Sequence, residues 1–80
     1  MAVLLGLKIK ELRIARGMTQ IMLAEKSGVI FSVITALETG RRKYISAQDV
    51  ERLAKALGVK AETFWAVIPG DREARYIAVA

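Results

Sequence analysis

Three adjacent cations, Arg41-Arg42-Lys43, are the most concentrated chemistry in this 80-residue sequence. A run of guanidinium and ammonium groups holds anions, and phosphate suits both head groups. The plainer reading is a solvated charge run on the surface. Groups that carry reactions are scarce. The chain has no Cys and no His, which removes thiol catalysis, disulfides, Cys-based zinc sites, the commonest general base and the commonest metal ligand. There is also no glycine-rich phosphate loop. Asp49 and Glu51 are neighbours on an amphipathic stretch and read as solvated surface. Met18 and Met22 read as core or edge filler. Phe64 and Trp65 could stack on a single strand, but at helical spacing beside a valine they read as core. No enzyme, cofactor or metal site is expected.

Thirteen Lys plus Arg against eight Asp plus Glu give a net charge of +5. With a pI near 10.0, that balance points to an acidic partner, nucleic acid first. The charge is segregated. Residues 1–45 hold Lys8, Lys10, Arg13, Arg16, Lys26, Arg41, Arg42 and Lys43 against only Glu11, Glu25 and Glu38, whereas acids and bases balance over residues 46–80. The hydrophobic fraction of 54% stands above the usual range of about 45–50%. Its excess has two local sources, residues 29–36 and residues 76–80. No stretch reaches the roughly 20 apolar residues of a membrane span. The basic Lys8 and Lys10 follow the opening apolar run of residues 1–5, where a secretory signal would place them before it. A soluble cytoplasmic protein with no membrane partner is expected. Eighty residues make one domain, in which only about 60% of the unfolded surface is buried.

The elements that position these groups are short. Leu5, Ile9 and Leu12 recur at helical spacing and predict a first helix that Gly17 stops. Thr19 is the N-cap of a second helix through Lys26, broken by Ser27-Gly28. Val29 to Glu38 forms a third segment closed by Gly40 as a C′ residue, and the basic loop follows it. Ser46 with Asp49 resembles a capping box, opening a helix with Val50, Leu53, Ala54 and Leu57 inward and Gly58 at its end. A last short helix carries Phe64 and Trp65 and ends near Pro69-Gly70.

Short helix, glycine turn, second helix and basic loop is the order of a helix-turn-helix reader of DNA. The turn needs a small residue so that two helices can cross steeply. The residues LKIKELRIARGMTQIMLAEKSGV, VITALETGRRK and DVERLAKALGV resemble the Cro and lambda-repressor-like helix-turn-helix family, also called the XRE family, from about Gly6 to Trp65. The resemblance implies an all-α, compact five-helix domain over residues 1–70, with a short C-terminal tail over residues 71–80. It further implies sequence-specific binding of double-stranded DNA by a homodimeric transcriptional regulator, a repressor by expectation, of bacterial, archaeal or phage origin. Gln20 matches a family position that contacts phosphate, and Arg41, Arg42 and Lys43 match a loop that touches the DNA backbone. Arg13 and Glu38 match a family pair expected to be structural.

The third segment departs from the family. Ile30, Phe31, Ser32, Val33, Thr35 and Ala36 stand at the base-contact positions, where polar residues are usual. Ile30 cannot cap the helix, and the β-branched run would pass for a strand. Three explanations stand open: apolar readout against thymine methyls, cover by a protein partner in a degenerate module, or an altered sequence. Trp65, Ile68, Tyr76, Ile77 and Val79 are candidates for the dimer contact, on the argument that a lone small domain would not leave them exposed.

Overall fold

The computed structural model describes residues 3–79; Met1 and Ala2 of the opening apolar run and Ala80 of the tail lie outside them. The order is α1 (Val3–Ala15), α2 (Gln20–Ser27), α3 (Phe31–Glu38), β1 (Tyr44–Ser46), α4 (Ala47–Leu57), α5 (Glu62–Trp65) and β2 (Tyr76–Ala78). The fold is all-α with a minor two-stranded sheet. Helix α1 packs on α3, and α2 packs on both α3 and α4. Leu5, Ile9, Leu23, Ile34, Leu37 and Leu53 are among the buried side chains at the centre.

Local chemistry accounts for most helix ends. The Thr19 hydroxyl accepts the Met22 N–H at 3.1 Å, and the Ser46 hydroxyl accepts the Asp49 N–H at 3.0 Å. Each satisfies one backbone donor that its helix leaves orphaned. Helix α3 has no such device, since Ile30 occupies its N-cap without a side-chain hydrogen bond. Its β-branched run is nevertheless helical. At helical spacing Ile34 and Leu37 both enter the core with 0% exposure, and such tertiary burial overrides local β preference. The C-terminus of α3 is tied down well. The Gly40 N–H donates to the Leu37 carbonyl at 3.2 Å and the Arg41 N–H to the Ala36 carbonyl at 2.9 Å. Those two bonds make a Schellman turn, with Gly40 supplying the positive φ of 77°.

The tail differs from expectation. Residues 76–78 form an antiparallel ribbon with residues 44–46, with Ile45 opposite Ile77. Both isoleucines are buried in the core. The ribbon is extended by the Val79 N–H donating to the Lys43 carbonyl and the Ala47 N–H donating to the Arg75 carbonyl. The expectation that Ile68, Ile77 and Val79 face a dimer partner is therefore corrected. All three are buried within the single chain, because Ile77 and Val79 of the tail and Ile68 ahead of it belong to the chain's own core. Of the dimer candidates, Tyr76 is exposed and Trp65 half-buried. A further apolar surface instead lies on α1, whose Leu4, Leu7 and Ile14 are exposed opposite the buried Leu5 and Ile9.

Candidate nucleic-acid interface

One polar joint sets the relation of α1, α2 and α3. Arg13 on α1 donates through Nε to Glu38 Oε2 and through Nη2 to Glu38 Oε1, both at 2.9 Å. Its Nη1 donates to the Met18 carbonyl at 2.8 Å. The Gln20 amide nitrogen, at the start of α2, donates to the same Glu38 Oε1 at 3.2 Å. Side-chain exposures of 12% for Arg13 and 4% for Glu38 make this a largely desolvated fork. The hydrogen bond to Glu38 raises the Arg13 pKa above its ordinary value while burial pulls it down. The guanidinium therefore stays charged, and the arrangement orients helices rather than carrying out a reaction.

Sequence reasoning passed over Gly6, which completes this joint. A Cβ on Gly6 would overlap the Leu37 carbonyl oxygen, and it would stand 2.6 Å from the Leu37 carbonyl carbon. Only glycine lets α1 approach the C-terminal turn of α3 this closely. A glycine inside an otherwise periodic apolar helix is the signal that could have found it.

The outer face of α3 is mostly carbon. Ile30 is 69% exposed and Phe31 44% exposed. Ser32 is exposed, while Val33, Thr35 and Ala36 are half-buried. The Thr35 hydroxyl donates to the Ser32 carbonyl at 3.0 Å, so its proton is engaged within the helix. The basic loop continues directly from this helix. The Arg41 Nε donates to the Thr39 hydroxyl at 3.1 Å, and that hydroxyl donates to the Thr35 carbonyl at 2.9 Å. With the Schellman turn, these bonds fix where the cations start. Arg41 and Lys43 are exposed and Arg42 is half-buried. The buried Arg42 Nε has no hydrogen-bond partner among the described residues.

The structure thus joins the base-contact candidates and the basic loop along one continuous segment, residues 30–43. Gln20 stands at the other end of the joint with its amide turned to Glu38. Ile21, 59% exposed beside it, and Tyr44, 60% exposed after the loop, were not singled out from sequence. Exposure of a lone Ile or Tyr leaves no signature in a sequence read without its fold.

A helix-turn-helix family model, HTH_3, matches residues 9–64. Among solved structures, the restriction-modification controller protein C.AhdI from Aeromonas hydrophila is 33% identical with a TM-score of 0.73, over 79% of this chain and 94% of that one. The master regulator for biofilm formation SinR, solved in complex with DNA, is 31% identical with a TM-score of 0.73, over 76% of this chain and 97% of that one. A hypothetical transcription factor, NHTF, from Neisseria is 28% identical with a TM-score of 0.72, over 79% of this chain and 71% of that one. No curated protein sequence matches the chain.

Proposed function

The chain belongs to the HTH_3 helix-turn-helix family of XRE-type DNA-binding regulators, and from that premise we propose that it binds double-stranded DNA sequence-specifically as a homodimeric transcriptional repressor. The observation that carries the reading is the continuity of an outward α3 with a basic loop locked to its end. A helix so placed enters the major groove while the adjoining cations settle on phosphates. Arg41, Arg42 and Lys43 supply the phosphate contacts, and Gln20 adds one when its amide turns outward. Residues 30–33, 35 and 36 face the bases. Residues 1–70 carry the DNA-binding surface, while Ile77 and Val79 of the tail pack into the same core. Tyr76 of the tail and Trp65 of α5 are the remaining dimer candidates. In the two-fold dimer, half-sites lie about one helical turn apart.

Binding to duplex DNA, titrated at several salt concentrations, tests this. The logarithm of affinity should fall steeply with the logarithm of salt, and the slope should flatten by about 0.9 for each phosphate that is no longer neutralised. R41A, R42A and K43A together should therefore remove most of the dependence. Absence of binding at low salt would overturn the reading and favour a protein partner for the exposed Ile30 and Phe31. Sedimentation of the full chain, with Tyr76→Ala and Trp65→Ala variants, tests the dimer. A chain ending at Gly70 would also lose β2 and so its own core.

A further inference from the structure

We propose that α3 reads the C5-methyl group of pyrimidines, so that thymine and 5-methylcytosine are equivalent ligands and uracil or unmodified cytosine is not. This rests on the DNA-binding reading above. Base edges in the major groove are distinguished by donors, acceptors and one apolar group, the C5-methyl. Guanine is commonly read by Arg or Lys, adenine by Asn or Gln, and cytosine by Asp or Glu. None of these six residue types occurs over residues 29–37. The hydroxyls there are few. Thr35 has its proton on the Ser32 carbonyl, which leaves Ser32 as the one exposed hydroxyl on the face with no hydrogen bond of its own among the described residues. What the helix offers is the carbon of Ile30, 69% exposed, and of Phe31, 44% exposed.

Charge decides the occupant in favour of DNA over a protein surface. Three cations follow the apolar face, and their loop is anchored to α3 by the Arg41 N–H on the Ala36 carbonyl and the Arg41 Nε on the Thr39 hydroxyl. Arginine and phenylalanine occur in protein interfaces too, but charge is depleted at the centres of those interfaces, whereas three consecutive cations beside an apolar face match a polyanion that flanks a groove. The apolar side chains then meet the only apolar group that the groove displays. Phe31 is the specificity residue, and Ile30 extends its contact surface.

The test uses the full chain and a duplex enriched by it from a random-sequence pool. That duplex is resynthesised with deoxyuridine for thymidine, and separately with single T·A pairs changed to C·G or to 5-methyl-C·G. Removal of each methyl that α3 touches should weaken binding about fourfold, the worth of one buried methyl group. The 5-methyl-C·G pair should bind within about twofold of T·A at positions where C·G is weak. In the Phe31→Ala variant the thymine and uracil duplexes should become nearly equal, through weaker binding of the thymine duplex alone. Equal affinity of the unaltered chain for thymine and uracil duplexes would overturn methyl readout while leaving salt-dependent DNA binding intact. A parallel weakening on both duplexes in Phe31→Ala would overturn its assignment to α3. No binding to either duplex at low salt would overturn the DNA reading itself, and the proposal with it.

Discussion

Helices α3 and α4 form by opposite routes. In α4 every local signal agrees with the fold: Ser46 caps the start, Val50, Leu53, Ala54 and Leu57 point inward, and Gly58 takes the left-handed conformation at the end. In α3 the cap is an isoleucine, β-branched residues fill the turns, and Ile30 and Phe31 remain in solvent. It is held from outside instead, by the Arg13 fork on Glu38, by the close approach of Gly6 and by two core residues. Conflict between local preference and tertiary placement concentrates where function is selected over stability.

Breaking the external clamp should produce the largest effect. Glu38→Ala leaves the Arg13 guanidinium without its carboxylate; the pair is part-buried, and removing one member of a fully buried pair destabilises by about 3–5 kcal/mol. The lower end is expected, because Arg13 keeps its bond to the Met18 carbonyl. Urea unfolding monitored by circular dichroism measures it. A change below about 1 kcal/mol would mean that α3 stands without the clamp. Ile77→Ala should cost a comparable amount, within the range of about 2–5 kcal/mol for deleting a buried isoleucine to its Cβ. The Tyr76→Ala variant, one residue away but 56% exposed, should move stability far less. That contrast separates a tail that closes the core from a tail that lies free on the surface.

How legible each region was follows from the same division. Helix α4 could be read because its apolar period, cap and terminal glycine lie within thirteen consecutive positions, 46–58. The helix-turn-helix order was equally legible, since Thr19, Gly28 and Gly40 punctuate it locally. The ribbon was not. Three residues at 44–46 pair with three at 76–78, and a strand of three shows too little alternation to be told from a loop. The expectation that Ile77 and Val79 stand exposed arises from that gap, because their hydrophobicity has the same appearance whether the cover is the chain itself or a second copy. The apolar excess of the composition also has a third source beyond residues 29–36 and 76–80. It includes the outer face of α1 at Leu4, Leu7 and Ile14, which the periodic inner face at Leu5, Ile9 and Leu12 conceals in the sequence. For the candidate interface, residue types were readable, but the engagement of Thr35 on the Ser32 carbonyl needed coordinates.

Exchanging caps between the two helices gives the smallest effects on stability. Ser46→Ala removes the acceptor for the Asp49 N–H and should lower stability by about 1 kcal/mol. Ile30→Ser should do the reverse. A hydroxyl there can accept a backbone N–H of the first turn, and the isoleucine it replaces is 69% exposed, so little packing is sacrificed. A gain of up to about 1 kcal/mol is expected in thermal or urea unfolding. If Ile30 reads a methyl group, the same substitution must narrow the difference in affinity between thymine and uracil duplexes while the protein becomes more stable. Gain in stability with discrimination unchanged would place Ile30 outside the contact and leave Phe31 to carry it. Loss of stability would show that the isoleucine supports α3 in a way that its exposure conceals, and the contrast between the two helices would then be one of packing rather than of function.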